Sequence, residues 1–361
     1  MMKMRWKKWL AGAMGLLLLA VLVPLGAAAQ PEQVHISAAQ ELTGILSQTQ
    51  PEATQGKEYV LDADITLDTN TLRQGLNPED IRVFASTLQG GGHTIAVTGP
   101  EASAPLFEQL RGSVRGLNLV FTGDVVGTPF ALDASYASPE EPVSLSELSV
   151  VVQGSVLFGD HDYSQYYGSL LEPPYNYGNW YIHYGGQPVH LATGFAWYLW
   201  GVSVSQVQVQ VAGNIGESSR QEGDATAAGF AYFAVKGDRT TAAEYDNIQV
   251  SVGGSIQALT GDGHASAYGF AVGTADGSTV GFGGNNLDQV SYVGVTAQNI
   301  LADSQQGASS AVGFARFVQG YTHHCQVNVP GGIRTVNQEG DQEEDQYSYD
   351  NGSAYAYGFM M

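Results

Sequence analysis

The chain contains little cysteine and little positive charge, and each shortage excludes a class of protein. Cys325 is the single cysteine in 361 residues, so an intramolecular disulfide framework is excluded and stability must come from packing and hydrogen bonding. Lysine and arginine total 14 against 35 acidic residues, which gives a formal net charge of −21. This acidity argues against nucleic acid or an anionic membrane surface as a partner.

The first 30 residues combine basic side chains with a long apolar run. Residues from Lys3 to Lys8 are rich in lysine and arginine, and the apolar run that follows them ends in Pro24 and "AAAQ". This layout is typical of a cleavable secretory signal over residues 1–29. An uncleaved anchor is the alternative, because residues 11–29 could just span a bilayer. We expect a secreted, extracellular or surface-associated protein with no membrane insertion after cleavage.

A short pattern recurs along the mature chain. It consists of three alternating apolar residues, a glycine at the next alternate position and one more apolar residue. Copies occupy residues 117–125, 148–156, 207–215, 248–256 and 325–333. A looser copy, interpreted as carrying a bulge, begins at Val290 and Tyr292 and ends near Ile300.

A second motif, Gly-Phe flanked by alanines, precedes most of these copies. Its phenylalanines are separated by steps of 35, 40, 44 and 45 residues, at Phe195, Phe230, Phe270, Phe314 and Phe359. Phe107 and Phe130 are interpreted as earlier, degenerate members. Small neighbours around each Phe favour an internal aromatic stack over a ligand platform.

Strict alternation gives each strand one dry and one wet face. A β-sandwich could use such strands, but it would not need the same glycine in every copy. A solenoid does, because successive coils stack equivalent positions in register. The sequence therefore predicts one all-β domain over residues 30–361, built as a β-solenoid.

Four segments between Ile36 and Phe121 strengthen this prediction: "ISAAQELTGIL", "YVLDADITL", "LQGGGHTIAV" and "LFEQLRGSVRGLNLVF". Over residues 34–126 the chain resembles secreted bacterial right-handed parallel β-helix (pectin-lyase-like) proteins with GLUG-type repeats. The resemblance implies a right-handed parallel β-helix and export. It implies no reaction, since such families include surface and adhesion proteins as well as enzymes.

The two ends of the solenoid are expected to differ. A helix over residues 37–47 presents Leu42, Ile45 and Leu46 on one side and would cover the first coil. The chain stops at "AYGFMM", inside what should be the next unit, without an equivalent cap. We therefore expect an incomplete C-terminus and end-to-end self-association.

Residues 158–188 interrupt the repeat with an aromatic insertion. A long loop on a compact scaffold is typically functional, and planar rings with one polar tip suit the faces of sugars. The other interpretation, a lid that packs its rings onto the solenoid wall, is slightly favoured over a sugar site. The candidate ligand-binding residues are Tyr163, Tyr166, Tyr175, Tyr177, Trp180, Tyr181, His183 and Tyr184.

Acidic side chains recur in the loops that precede the Phe strands. Glu217, Glu222, Asp224, Asp262 and Asp303 would stack on one edge, together with the acidic segment 339–350. Such oxygen ligands can hold calcium, but no EF-hand or nonapeptide spacing is present and a solvated edge is favoured.

Cofactors, metal ligands and catalytic residues are not expected. The segment "GDGH", with Asp262 and His264, comes nearest to an enzymatic motif, although a turn explains it. Cys325 occupies an inward position, with His324 turned outward.

These observations predict an exported, non-catalytic module for binding or adhesion. Its expected partner is a glycan or another host or cell-surface polymer, bound through the aromatic insertion. The alternative is a carbohydrate-active enzyme, either a polysaccharide lyase or a glycoside hydrolase, on the same scaffold.

Overall fold

The computed structural model describes residues 31–135, 143–160, 190–235, 244–274, 289–318, 321–337 and 354–358. Within these ranges the chain forms a parallel β-solenoid, in which the strands of one coil pair in register with those of the next. The predicted all-β parallel β-helix is therefore confirmed. The solenoid belongs to the compact unit Gln33–Met361.

The strands are numbered along the chain and form sheets I to IV. Sheet I contains β1 Glu32–Ile36, β2 Lys57–Leu61, β3 Ile65–Leu67, β5 Thr87–Gln89, β6 Thr94–Val97, β9 Val114–Arg115, β10 Asn118–Phe121, β13 Val143–Val152, β18 Val202–Val211, β21 Glu244–Val252, β25 Gln289–Ser291, β26 Gly294–Thr296, β30 Tyr321–His323 and β31 Gln326–Asn328. Sheet II has two three-stranded parts, joined by single bridges through Ile215. The first contains β7 Glu101–Ala102, β11 Asp124–Val126 and β14 Val156–Leu157, and the second contains β22 Ser255–Thr260, β27 Asn299–Ser304 and β32 Ile333–Asn337.

Sheets III and IV complete the coil. Sheet III contains β15 Gly159–Asp160, β16 His190–Thr193, β19 Ala225–Ala228, β23 Ala265–Tyr268, β28 Ser309–Val312 and β33 Ala354–Tyr357. Sheet IV contains β4 Val83–Phe84, β8 Phe107–Leu110, β12 Ala131–Ser135, β17 Ala196–Trp200, β20 Ala231–Val235, β24 Ala271–Thr274 and β29 Ala315–Val318. One coil passes from sheet III through a Gly-Phe corner to sheet IV, then to sheet I and sheet II.

The alternating apolar residues form ladders along the solenoid interior. Val150 pairs with Val209, Val209 with Val250, and Val250 with Val295. All four side chains are at most 2% exposed. The repeated pattern in the sequence thus marks equivalent positions in consecutive coils.

The phenylalanines form a continuous internal stack. Adjacent rings from Phe130 to Phe314 lie 4.5–5.1 Å apart at interplanar angles of 4–10°. Phe107 and Phe130 are members, as predicted, and the stack extends to Phe84 and Tyr59 with tilted rings. Phe359 lies outside the described residues.

The glycine before Phe195, Phe230, Phe270 and Phe314 is required by the next coil. A Cβ on Gly194, Gly229 or Gly269 would collide with the carbonyl oxygen of the equivalent glycine one coil later. Each backbone N–H at this corner also bonds to the next coil, as from Gly229 to Tyr268 O at 3.0 Å. Only a residue without a side chain permits this approach.

The glycine at the bend between sheets I and II has a related role. Oδ1 of Asp124 accepts a hydrogen bond from the Ser155 N–H at 2.7 Å, and Oδ1 of Asn214 accepts one from the Ser255 N–H at 2.8 Å. A Cβ on Gly154 would strike Oδ1 of Asp124, as a Cβ on Gly254 would strike that of Asn214. The glycine leaves room for a polar side-chain ladder.

Sheet I contains a bend that the sequence pattern did not predict. In each of five coils one residue other than glycine has φ between 54° and 56°, and together these residues are termed the left-handed ladder: Glu147, Gln206, Asn247, Tyr292 and His324. The bend shifts the alternation, so that buried residues such as Val204 and Val207 are three positions apart. In the looser copy, Tyr292 was predicted to be one of the alternating apolar residues, and this was wrong. Tyr292 is 53% exposed, and Val293 and Val295 continue the buried pattern.

Helix α1, Ala39–Leu46, lies within the predicted range of 37–47 and packs against β3 and β4. Leu42 and Leu46 are buried in the core. Oε2 of Glu41 accepts hydrogen bonds from the backbone N–H groups of Ser37 and Ala38, just before the helix. Two 3₁₀ turns follow, Pro51–Ala53 and Thr69–Arg73. In the described part of the chain, no helix has the length and apolarity needed to cross a membrane.

A buried ionic cluster joins α1 to the second and third coils. Arg82, 1% exposed, donates to Oε1 of Glu108 at 2.9 Å and to the carbonyl oxygen of Leu46 at 3.4 Å. Arg73 donates to the same Oε1 at 2.6 Å. Burial raises the pKa of Glu108, but the Arg82 charge and hydrogen bonds from both arginines outweigh burial, so the net pKa is lowered.

We predict opposite effects of alanine at two glycines. Gly229→Ala should lower the free energy of unfolding by several kcal/mol, because the new Cβ meets backbone that cannot move. Gly44→Ala in α1 meets open space and should raise it by about 0.5–1 kcal/mol. Urea denaturation of both variants measures the difference. Equal changes in unfolding free energy for the two variants would contradict the close approach of Gly229 to the backbone of the next coil.

We also predict a pH dependence from Glu108. Because its folded-state pKa is lowered, its contribution to stability is present above the unfolded-state pKa and is lost as pH falls through the folded-state pKa. Glu108→Gln should cost about 3–5 kcal/mol at pH 7, and the gap from wild type should narrow on acidification. Denaturation curves at pH 7 and pH 3 test this. A gap independent of pH would exclude an ionised, paired Glu108.

Candidate functional site

The predicted ligand-binding residues belong to residues 161–189, which lie outside the described part of the chain. This applies to Tyr163, Tyr166, Tyr175, Tyr177, Trp180, Tyr181, His183 and Tyr184. Their role therefore remains a prediction. The structure does describe the strands from which the insertion departs and to which it returns.

These strands form an antiparallel pair. Gly159 of β15 pairs with Leu191 of β16, and Asp160 pairs with His190. A ring nitrogen of His190 lies 2.9 Å from the carbonyl oxygen of Glu222, which ties this side chain to the next coil. The two ends of the insertion are thus held next to each other on sheet III.

The outer face of sheet IV beside this pair is aromatic. In β17 and β20, Ala196, Leu199, Ala231 and Ala234 belong to the solenoid core. The two residues between each inward pair belong instead to a separate cluster on the outside. We term these residues the outer aromatic cluster: Trp197, Tyr198, Tyr232 and Phe233.

The outer aromatic cluster is tightly packed. Tyr232 and Phe233 have ring centroids 4.3 Å apart, and Tyr198 lies 5.8 Å from Tyr232. The four residues are only 4–6% exposed. Stacking on a sugar needs an open ring face, so these rings do not provide that surface.

Trp197 connects this cluster to the base of the insertion. A Cβ on Gly127 would come within 2.8 Å of its Cζ2 atom, and a Cβ on Gly159 within 3.2 Å. The indole therefore lies directly against the backbone of β15, where the chain departs into the insertion.

Polar residues continue the same face in the preceding coils, where Asp133 pairs with Gln109 on one side and with Tyr198 on the other. Arg111 donates to Oδ2 of Asp133 at 2.8 Å and to Oγ of Ser135. We term Gln109, Arg111, Asp133 and Ser135 the polar quartet. All four are largely buried.

The polar quartet has unused hydrogen-bonding capacity. Both amide atoms of Gln109 and Oδ1 of Asp133 are buried and find no hydrogen-bond partner among the described residues. A buried polar atom without a partner costs about 1–3 kcal/mol. Because these atoms are buried, a solute does not reach them in this structure.

Sequence reasoning missed this wall. The segments "AWYLW" and "AYFAV" contain apolar residues at almost every position and so break the period-two alternation. That break could have indicated the buried outer face, because a strand buried on both faces has a continuous run of apolar residues.

Three carboxylates of the predicted acidic stripe have separate partners. Asp224 accepts from the His264 N–H at 2.7 Å, and Asp262 accepts from the Gly223 N–H at 2.6 Å. Asp303 forms a two-bond ion pair with Arg220. Among the described residues, no three His, Cys, Asp or Glu side chains are grouped to hold a metal ion. The acidic residues 339–350 lie outside the described residues.

The contacts of the Asp262–His264 pair and of Cys325 are those of residues that stabilise the fold. Nδ1 of His264 accepts a hydrogen bond from the Ala308 N–H at 2.9 Å, so Asp262 and His264 both stabilise turns of neighbouring coils. Cys325 packs against the core as predicted, and burial raises the pKa of its thiol despite backbone hydrogen bonds that lower it.

Comparison with known proteins adds one distant similarity. No protein-family model and no curated protein sequence matches the chain. A crystal structure of a "putative immunoglobulin A1 protease" from Bacteroides ovatus is similar at 11% identity and a TM-score of 0.42, covering 92% of this chain and 85% of that chain.

We predict that the outer aromatic cluster contributes to stability. Trp197→Ala should lower the free energy of unfolding by about 3–5 kcal/mol, because it removes a buried indole from two glycine backbones. Tyr292→Ala is the control, since that ring is 53% exposed and its loss should have little effect. Urea denaturation measures both. A Trp197 variant as stable as the control would show that the wall is not packed.

Proposed function

We propose that this chain is an exported, non-catalytic binding module that presents the aromatic insertion to glycans at a surface. The N-terminal pattern of basic residues, apolar run and small residues supports export. The resemblance to GLUG-type, pectin-lyase-like β-helix proteins over residues 34–126 remains part of this proposal.

One observation carries the binding role. The insertion leaves and re-enters the solenoid on the paired strands β15 and β16, and the buried indole of Trp197 packs against the backbone of β15 at this base. The stacking surface would come from the insertion, whose sequence contains Tyr175, Tyr177, Trp180 and Tyr181.

The scaffold suits such a role. Its coils are fixed by the glycine corners and the phenylalanine stack, so the antiparallel base of the insertion is held by a rigid support. Binding residues on loops are most effective when the scaffold positions them. The alternative of a carbohydrate-active enzyme is distinguished by testing whether a bound glycan is cleaved.

The decisive variant is Trp180→Ala. On a glycan array the wild type should bind with about −4 to −8 kcal/mol, corresponding to the millimolar to micromolar range, and the variant should lose binding. Its melting temperature should stay near that of the wild type, because an open platform adds little to folding. Tyr292→Ala, an exposed ring outside the insertion, should keep glycan binding.

A packed lid predicts the reverse result. Trp180→Ala would then lower the melting temperature, as expected for Trp197→Ala, and no glycan would bind to the wild type. That combination would overturn the proposed function.

A further inference from the structure

The left-handed ladder brings three exposed aromatic side chains together on sheet I. The rings of Tyr292 and His324 are stacked, with centroids 4.7 Å apart and planes 3° apart. His323 stands edge-on to both, 6.1 Å from Tyr292 and 5.5 Å from His324. All three side chains are exposed, so a solute can reach them.

Two ring nitrogens converge within this group. Nδ1 of His323 lies 3.3 Å from Nδ1 of His324. Imidazole nitrogen binds zinc at about 2.0–2.1 Å, so two ligands at the tetrahedral angle are about 3.3–3.4 Å apart. The observed separation therefore fits two ligands of one tetrahedral ion.

The backbone holds this pair in place. His324 has φ of 56°, and its imidazole stacks on Tyr292 with Nδ1 beside Nδ1 of His323. On either side of it, the Tyr292 N–H donates to His323 O at 3.1 Å and the Gln326 N–H donates to Val293 O at 2.8 Å. The stack on Tyr292 then orients the His324 ring. The two imidazoles therefore lose little conformational freedom when a metal ion binds, which favours metal affinity.

We propose that His323 and His324 form a two-imidazole chelate for a divalent transition-metal ion of the zinc type. Water fills the remaining coordination positions. Cys325 is not a ligand, because it packs against the core and its Sγ lies against backbone carbonyl oxygens, 3.6 Å from that of His323 and 3.8 Å from that of Val290. Tyr292 acts as a positioning residue through its stack on His324. This site is independent of the proposed glycan function.

Calorimetric titration of the purified protein with zinc chloride tests the proposal. His324→Asn keeps the left-handed bend, which asparagine tolerates, but removes one ligand. Loss of even a partner that only orients a ligand weakens metal binding about 10–100-fold, so we expect at least a tenfold loss. His93→Asn is the matched control, since His93 lies beside Asp64 in an early coil, and it should bind like wild type.

Two further variants separate ligation from a structural effect. Tyr292→Phe keeps the ring stack and should keep zinc affinity, whereas Tyr292→Ala should weaken it without changing the circular dichroism spectrum. Absence of zinc binding by the wild type would overturn the proposal. So would His324→Asn binding as tightly as wild type, because the ion would then be held elsewhere.

Discussion

The close approach of neighbouring coils at two glycine corners is the constraint on which the solenoid depends. At the Gly-Phe corner, backbone carbonyls occupy the space that a Cβ would need, and at the second corner Asp and Asn side chains occupy it. Because both corners are fixed, the strands between them must repeat in register. The valine ladders and the parallel phenylalanine rings follow from that register, since equivalent residues are carried to equivalent places.

The outer face of sheet IV shows which residues can vary although the coils repeat in register. Inward positions must match from coil to coil, but outward positions need not, so the same face changes from Gln109 and Asp133 to Tyr198 and Phe233. The change occurs where the insertion begins. Because the inward residues set the strand register, outward residues can form a localised site without disturbing that register.

Much of the architecture could be predicted because it depends on short-range alternation and on recurring glycines. Val209 and Phe230 occupy the predicted buried positions, and α1 covers nearly the predicted range. The bend at Gln206 could not be predicted, because a positive φ at a residue other than glycine depends on neighbouring coils and has no local signal. The wall at Tyr198 was missed because outward burial is set by contacts distant in sequence.

The left-handed ladder has a consequence for how the protein folds. A residue such as Gln206 or Tyr292 in this conformation carries about 1–2 kcal/mol of local strain, which an isolated coil has no means to offset. Each coil is therefore unfavourable alone and becomes favourable only when docked on a neighbour. This is the condition for nearest-neighbour cooperativity in one dimension, in which order spreads along an axis as in a zipper. The strain suppresses partly wound chains and sharpens the boundary between wound and unwound segments.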